Sequence, residues 1–307
     1  MSEVFADREL AAWVTMIASS GDELDVQAMR AATAERARTR ARGPEMDSVG
    51  DVAVGQLRAR LYRPGAAALP VVLYLHGGGW TIGGIETHDR LCRRLADGSG
   101  AAVLSLDYRL APEHPWPASV DDTVAALRWI ADTGAAELGV MSGVVAVAGD
   151  SAGGLLAALS CLRVRDEYPA ALPALQVLLN ANTDLSGSQP SMREKASGFG
   201  LDADAVRFFN SQWVPDRDRW SDPAVSPLFA PDVSGLPPAL IVAAEHDPLR
   251  DESAAYAERL SSAGVEVDYR CEPGLVHNFM MLDDISPACA AAADRVAADV
   301  RARLMVG

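Results

Sequence analysis

Short apolar runs recur along this chain, separated by longer stretches whose apolar residues return every three to four positions. The runs lie at 71–75, 102–106, 144–148, 175–179 and 240–244, and are rich in Val, Leu and Ala. A strand with one wet face alternates, whereas a strand apolar at every position is covered on both faces. Helical periodicity fills the intervals near 87–97, 119–132, 152–166, 251–263 and 287–304. Strands alternating with helices predict an α/β fold built on a mostly parallel sheet. Alternation at 49–54 and 57–62 adds strands ahead of that series, and Val265-Glu266-Val267-Asp268-Tyr269-Arg270-Cys271 adds one behind it.

Two regions stand outside the alternation. Residues 1–45 read mostly as helix, with apolar positions at Leu10, Val14, Ile17, Val26 and Met29, and stop at Gly43-Pro44. Between about 185 and 220 the pattern lapses, yet Phe199, Phe208, Phe209, Trp213 and Trp220 fall there or at its edge. That stretch is too long for a plain loop and too aromatic for a disordered linker. The expectation is a core of 46–184 and 221–307, with 1–45 and 185–220 forming a helical cap.

Composition narrows the class. At 307 residues, 49% hydrophobic and 22% charged, the chain can bury a large core. Its net charge of −15 argues against nucleic acid or an anionic membrane as partner. The Arg-rich run from Arg30 to Arg42 is expected to be a solvated helix face. Four scattered cysteines (Cys92, Cys161, Cys271 and Cys289) form no C-x-x-C pair and suggest a reducing compartment. The acid-bearing amino terminus does not read as a secretory signal, and no apolar run is long enough to span a bilayer. A cytoplasmic protein without metal or organic cofactor is the expectation.

Candidate chemistry gathers just past the strand ends, where ligands sit in open α/β sheets. The run at 144–148 feeds Gly149-Asp150-Ser151-Ala152-Gly153-Gly154, and a helix leaves it. A sharp strand-to-helix turn exposes a serine hydroxyl and needs small neighbours. After 71–75 comes His76-Gly77-Gly78-Gly79-Trp80, whose glycines can turn backbone N–H groups toward an oxyanion. No phosphate-loop or dinucleotide fingerprint competes. His76, at the strand end, is expected to brace that loop. After 240–244 come Asp247 and Asp251, with Asp247 the better placed acid and Asp184 an outside candidate. Of the five histidines, only His277 follows both Ser151 and Asp247, as the order Ser…Asp…His requires. Asp150 and Glu113 read as structural charges. Trp80, Phe209 and Trp213 are candidates to line a substrate pocket or to hold cap to core.

Taken together, His76–Trp80, the stretch from Asp107 to Ala118, Gly149–Gly154, Asp247–Glu252 and the His277 loop resemble the hormone-sensitive-lipase-like carboxylesterases, bacterial family IV of the α/β-hydrolases. The resemblance runs from about residue 70 to 280. It implies an eight-stranded, mostly parallel sheet with a helical cap, and hydrolysis of short- to medium-chain carboxylic esters. Ser151 would be nucleophile, Asp247 the acid and His277 the base, with Gly78, Gly79 and Ala152 supplying oxyanion-hole amides. Relatives are monomers or homodimers acting on small-molecule esters. Two departures stand out: Asn278 where the family has Gly, and Asn180-Ala181-Asn182 where it often has Tyr-Pro. Asn180 or Asn182 would put an amide near the acyl pocket. Amide, thioester or lactone hydrolysis is the alternative chemistry, and a non-catalytic ligand binder the alternative class.

Overall fold

Eight strands form one sheet in the computed structural model, which describes residues 4–18 and 24–305. Residues 1–3 and 19–23 of the expected helical stretch lie outside the described residues. The strands are β1 (Ser48–Val54), β2 (Leu57–Arg63), β3 (Val71–Leu75), β4 (Ala102–Leu106), β5 (Val145–Asp150), β6 (Leu175–Leu179), β7 (Ala239–His246) and β8 (Val267–Val276). Their order across the sheet is β1-β2-β4-β3-β5-β6-β7-β8. The β1–β2 and β2–β4 pairings are antiparallel and the rest parallel. The helices are α1 (Arg8–Ala18), α2 (Val26–Thr39), α3 (Ile85–Ser99), α4 (Ala118–Trp129), α5 (Ala135–Leu138) and α6 (Ala152–Glu167). They continue as α7 (Ser191–Glu194), α8 (Ala203–Trp213), α9 (Arg250–Ser262) and α10 (Pro287–Leu304).

The unbroken apolar runs become the central strands, and their side chains divide between two cores with a period of two. Val71, Leu73 and Leu75 of β3 join a core with Val124 of α4, Leu155 and Leu159 of α6, and Tyr256 of α9. Val72 and Tyr74, from the same strand, join a second core with Leu91 and Leu95 of α3, Val296 of α10, and Leu10 of α1. Each such fully buried aliphatic side chain contributes roughly 1.5–3 kcal/mol. Residues covered on both faces are what the sheet requires at its centre. Among the described residues, no helix is long and apolar enough to cross a membrane.

Two expectations need correction. The last strand does not stop at Cys271: β8 runs on to Val276, through Pro273 and Gly274. A proline is tolerated because β8 is an edge strand. A register shift opposite Ala244 and His246 absorbs the bend, with Gly274 at φ +68°. The Arg-rich run is solvated at Arg36, Arg38 and Arg42 but not at Arg30 and Arg40. Arg30 donates to the carbonyls of Thr81 and Ala111 (both 2.9 Å) and pairs with Glu113, while Arg40 pairs with Asp283 and Asp284. Helix α2 fully buries none of its side chains, and these contacts help to hold it beside α3.

Candidate active site

Ser151 stands between β5 and α6 with φ 54° and ψ −117°, a conformation that costs a side-chain-bearing residue of order 1–3 kcal/mol. Its N–H donates to the Leu179 carbonyl (2.8 Å), tying the turn to the end of β6. Neighbouring glycines permit the turn: a Cβ on Gly149 would lie 2.3 Å from the Gly153 carbonyl carbon, and one on Gly154 2.7 Å from the Ala181 Cβ. The hydroxyl is thus presented where a helix begins. Ala152, as the first helical residue, has an N–H with no acceptor within the helix.

The glycine loop lies beside it, at the end of β3. Gly78, Gly79 and Trp80 all have positive φ (115°, 58° and 57°), a backbone that the two glycines adopt without strain. Among the described residues the N–H groups of Gly78 and Gly79 donate to no protein acceptor. The neighbouring Gly77 N–H instead donates to Asp150 Oδ1 (3.0 Å).

Asp150 anchors the loop from beneath. It also accepts from the Tyr74 hydroxyl (2.8 Å) and contacts His88 Nε2 (3.4 Å). Burial alone would raise its carboxyl, but the adjacent His88 and these hydrogen bonds prevail, and it sits below its usual range. It acts as the structural charge expected. The partners Tyr74 and His88 were not foreseen; a phenol inside an otherwise aliphatic strand was the available signal.

His76 braces the same loop. Its Nδ1–H donates to the Gly77 carbonyl (2.8 Å), its ring stacks on Tyr108 (4.2 Å between centroids), and the Tyr108 hydroxyl donates to its carbonyl (2.7 Å). Burial first, and then the neighbouring His88, push its pKa down from 6.5 to about 3. The folded chain therefore binds fewer protons than the unfolded one between those values. The stability His76 contributes is complete above pH 6.5 and is lost as pH falls through that window. Wild type is expected to lose more melting temperature than His76→Gln between about pH 7 and about pH 4. Equal losses in thermal melts would show that His76 titrates normally.

The remaining strand ends bring acid and base together. His277, just past β8, has its Nδ1 2.8 Å from Oδ2 of Asp247, just past β7. Both are buried, His277 to 8% exposure and Asp247 completely. A carboxylate only accepts, so the proton sits on Nδ1, and Nε2 of the neutral imidazole carries the free lone pair a general base needs. Asn278, in place of a glycine, adopts the left-handed conformation (φ 58°, ψ 32°) that Asn tolerates. The other acids are engaged elsewhere. Asp251 accepts from the Ser191 N–H (2.9 Å), and Asp184 accepts from Ser186 and Ser188.

The two asparagines depart from expectation. Neither amide is spent on an acyl pocket: Asn180 donates to Asp247 Oδ2 (2.9 Å) and Asn182 to Asn210 Oδ1 (3.1 Å) on α8. Of the candidate pocket aromatics, Trp80 and Trp213 stack on each other (4.2 Å, 12°) at 1% and 0% exposure, so they join α8 to the glycine loop. Phe209 packs against the same loop, where a Cβ on Gly79 would fall 2.2 Å from its ring. A cleft of about 1250 Å³ lies between α2 and α3, and neither Ser151 nor His277 lines it. Among the described residues no cluster of three or more His, Cys, Asp or Glu side chains is arranged to hold a metal ion.

The chain is similar to known proteins. The sequence model of the α/β hydrolase fold family matches residues 72–281. The carboxylic ester hydrolase LipN of Mycobacterium tuberculosis is 44% identical over 255 residues, covering 81% of this chain and 68% of its own. The ethyl acetate hydrolase of Pseudomonas putida is 36% identical over 295 residues, covering 90% of this chain and 92% of its own. Among solved structures, a hyperthermophilic esterase from the archaeon Pyrobaculum calidifontis matches with a TM-score of 0.90 at 38% identity, covering 96% of this chain and 98% of that one.

Proposed function

The chain belongs to the hormone-sensitive-lipase-like carboxylesterases of the α/β-hydrolase superfamily, and from that premise we propose that it hydrolyses small carboxylic esters through an acyl-enzyme on Ser151. The observation that carries this reading is the 2.8 Å contact of His277 with Asp247 at the carboxyl end of the parallel strands, the end at which the Ser151 turn also lies. In the first half-reaction the Ser151 Oγ attacks the ester carbonyl carbon and its proton passes to His277 Nε2. The carbonyl oxygen becomes an oxyanion facing the N–H groups of Gly78, Gly79 and Ala152. Asp247 stabilises the imidazolium. Collapse breaks the bond to the alkoxy oxygen, which leaves as the alcohol with the proton from Nε2. In the second half, water gives a proton to Nε2 and attacks the acyl carbon, and Ser151 recovers its proton as the acid departs.

Residues 1–45 and 185–220 act as a helical cap on the core of 46–184 and 221–307. In support, α8 meets the glycine loop through Trp213 and Phe209, and Phe5 and Trp13 meet the insertion at Phe199 and Gly200. The enzyme works in the cytoplasm as a monomer or homodimer, a reducing setting that suits the singly buried Cys92, Cys161 and Cys289. Substrates are short- to medium-chain esters, and a net charge of −15 weighs mildly against anionic ones. A p-nitrophenyl ester series from acetate to laurate tests this. Turnover is expected to peak among the shorter acyl chains and to fall at laurate. Failure to cleave any ester would sink the reading in favour of a ligand binder.

A further inference from the structure

The carboxylate that orients the base has a partner the triad does not require. Asp247 accepts three hydrogen bonds: the Leu249 N–H on Oδ1 (2.8 Å), and both His277 Nδ1–H (2.8 Å) and Asn180 Nδ2–H (2.9 Å) on Oδ2. His277 and Asn180 therefore divide one oxygen. Asn180 follows directly on β6, is 1% exposed, and holds a left-handed backbone at φ 48°. Its own N–H is fixed on the Val242 carbonyl (2.8 Å). Among the described residues its Oδ1 is buried without a partner. Leaving an amide oxygen unbonded in the interior is unfavourable. A side chain that accepts this while giving its N–H to a catalytic carboxylate is placed for the carboxylate.

We propose that Asn180 is a positioning residue of the triad, which locks the plane of the Asp247 carboxylate and, by sharing Oδ2, restrains the basicity of His277. The inference rests on the assignment of Ser151, Asp247 and His277 made above. An oxygen that serves two donors offers less negative charge to each. Without the amide, Oδ2 would stabilise the imidazolium more strongly, and His277 would hold its proton to higher pH. The carboxylate would also lose one of three anchors, so the base would spend less time aligned.

Other titratable groups face Asp247. Glu252 of α9 is raised well above its usual range by burial, the Cys271 thiol of β8 is raised by burial, and His246 of β7 is engaged by Lys195 and the Val4 carbonyl. The same groups are present in wild type and in the residue-180 variants, so the difference between two pH profiles reports the amide.

The test is the pH dependence of kcat/KM for p-nitrophenyl acetate in wild type, Asn180→Gly, Asn180→Leu and Ser151→Ala. Glycine adopts the left-handed backbone freely, so Asn180→Gly carries the measurement even where the leucine variant fails to fold. In the variants the acid limb is expected to move up by about half a pH unit or more, with kcat lowered about tenfold and KM within about twofold. Loss of kcat in Asn180→Gly with an unshifted limb would mean that the amide merely packs, and would overturn the proposal. Profiles that overlay wild type would do the same. Should Ser151→Ala keep wild-type turnover, the triad assignment itself fails; an inactive Ser151→Ala beside unshifted Asn180 profiles removes only this inference.

Discussion

Replacing Ser151 by alanine is expected to lower kcat on short-chain esters by about 10⁵–10⁶-fold. The side chain sits on a turn whose backbone is held by hydrogen bonds that do not involve its hydroxyl. The Ser151 N–H is on the Leu179 carbonyl, and its own carbonyl accepts from Leu155 (3.2 Å) and Asn182 (3.3 Å). Removing one half-buried oxygen leaves those bonds intact, so stability should change by less than about 1 kcal/mol. His277→Ala should cost a similar factor, because serine and histidine act as one unit, and the double variant should be little worse than either single one. Residual turnover would come from the Gly78, Gly79 and Ala152 amides. Active-site titration beside thermal melts decides the matter: a Ser151→Ala enzyme within about a hundredfold of wild type would place the nucleophile elsewhere.

Gly153→Ala should be the most damaging single methyl group added near this site. A Cβ at Gly153 would lie 1.9 Å from the Leu75 carbonyl oxygen and 2.8 Å from that of His76. Neither atom belongs to a flexible side chain. Leu75 pairs with Leu106 on one side and Gly149 on the other, at the centre of the sheet. Relief would need α6 to lift from β3, opening the core formed by Leu155, Leu159 and Leu73. A loss of about 4 kcal/mol or more follows, enough to unfold many domains of ordinary stability. Gly50→Ala is the control, since nothing lies within 4 Å of a Cβ there. Denaturant unfolding of the two variants should separate them by several kcal/mol; equal midpoints would show that the elbow has room.

Much of this was legible along the chain. The runs at 71–75, 102–106 and 175–179 are strands with those same limits, because burial on both faces demands apolar residues without interruption. Chain order singled out His277, which the sheet brings onto Asp247. The glycine spacing around Ser151 reflects clashes that any larger residue would make. These features are local, or follow from order alone.

Other features were hidden because they depend on which strand ends are neighbours. Asn180 looked like a pocket residue, yet β6 lies beside β7, so its amide lands on a carboxylate 67 positions further on. Arg30 and Arg40 looked like members of a solvated face until the fold set carbonyls and acids against them, Asp284 being 244 positions away from Arg40. The continuation of β8 through Pro273 was masked by a residue that is tolerated only at an edge.

Hydrophobic period, glycine placement and the chain order Ser…Asp…His therefore pointed to the sheet, its two coverings and the candidate trio, since burial, sterics and order can all be read along the chain. The sharing of the Asp247 oxygen, the anchoring of the glycine loop by Asp150, and the contacts of Arg30 and Arg40 were decided by tertiary structure alone. Hydrogen-bond donors carry no mark of their distant acceptors, and only the lateral order of the strands brings the two within 3 Å or so.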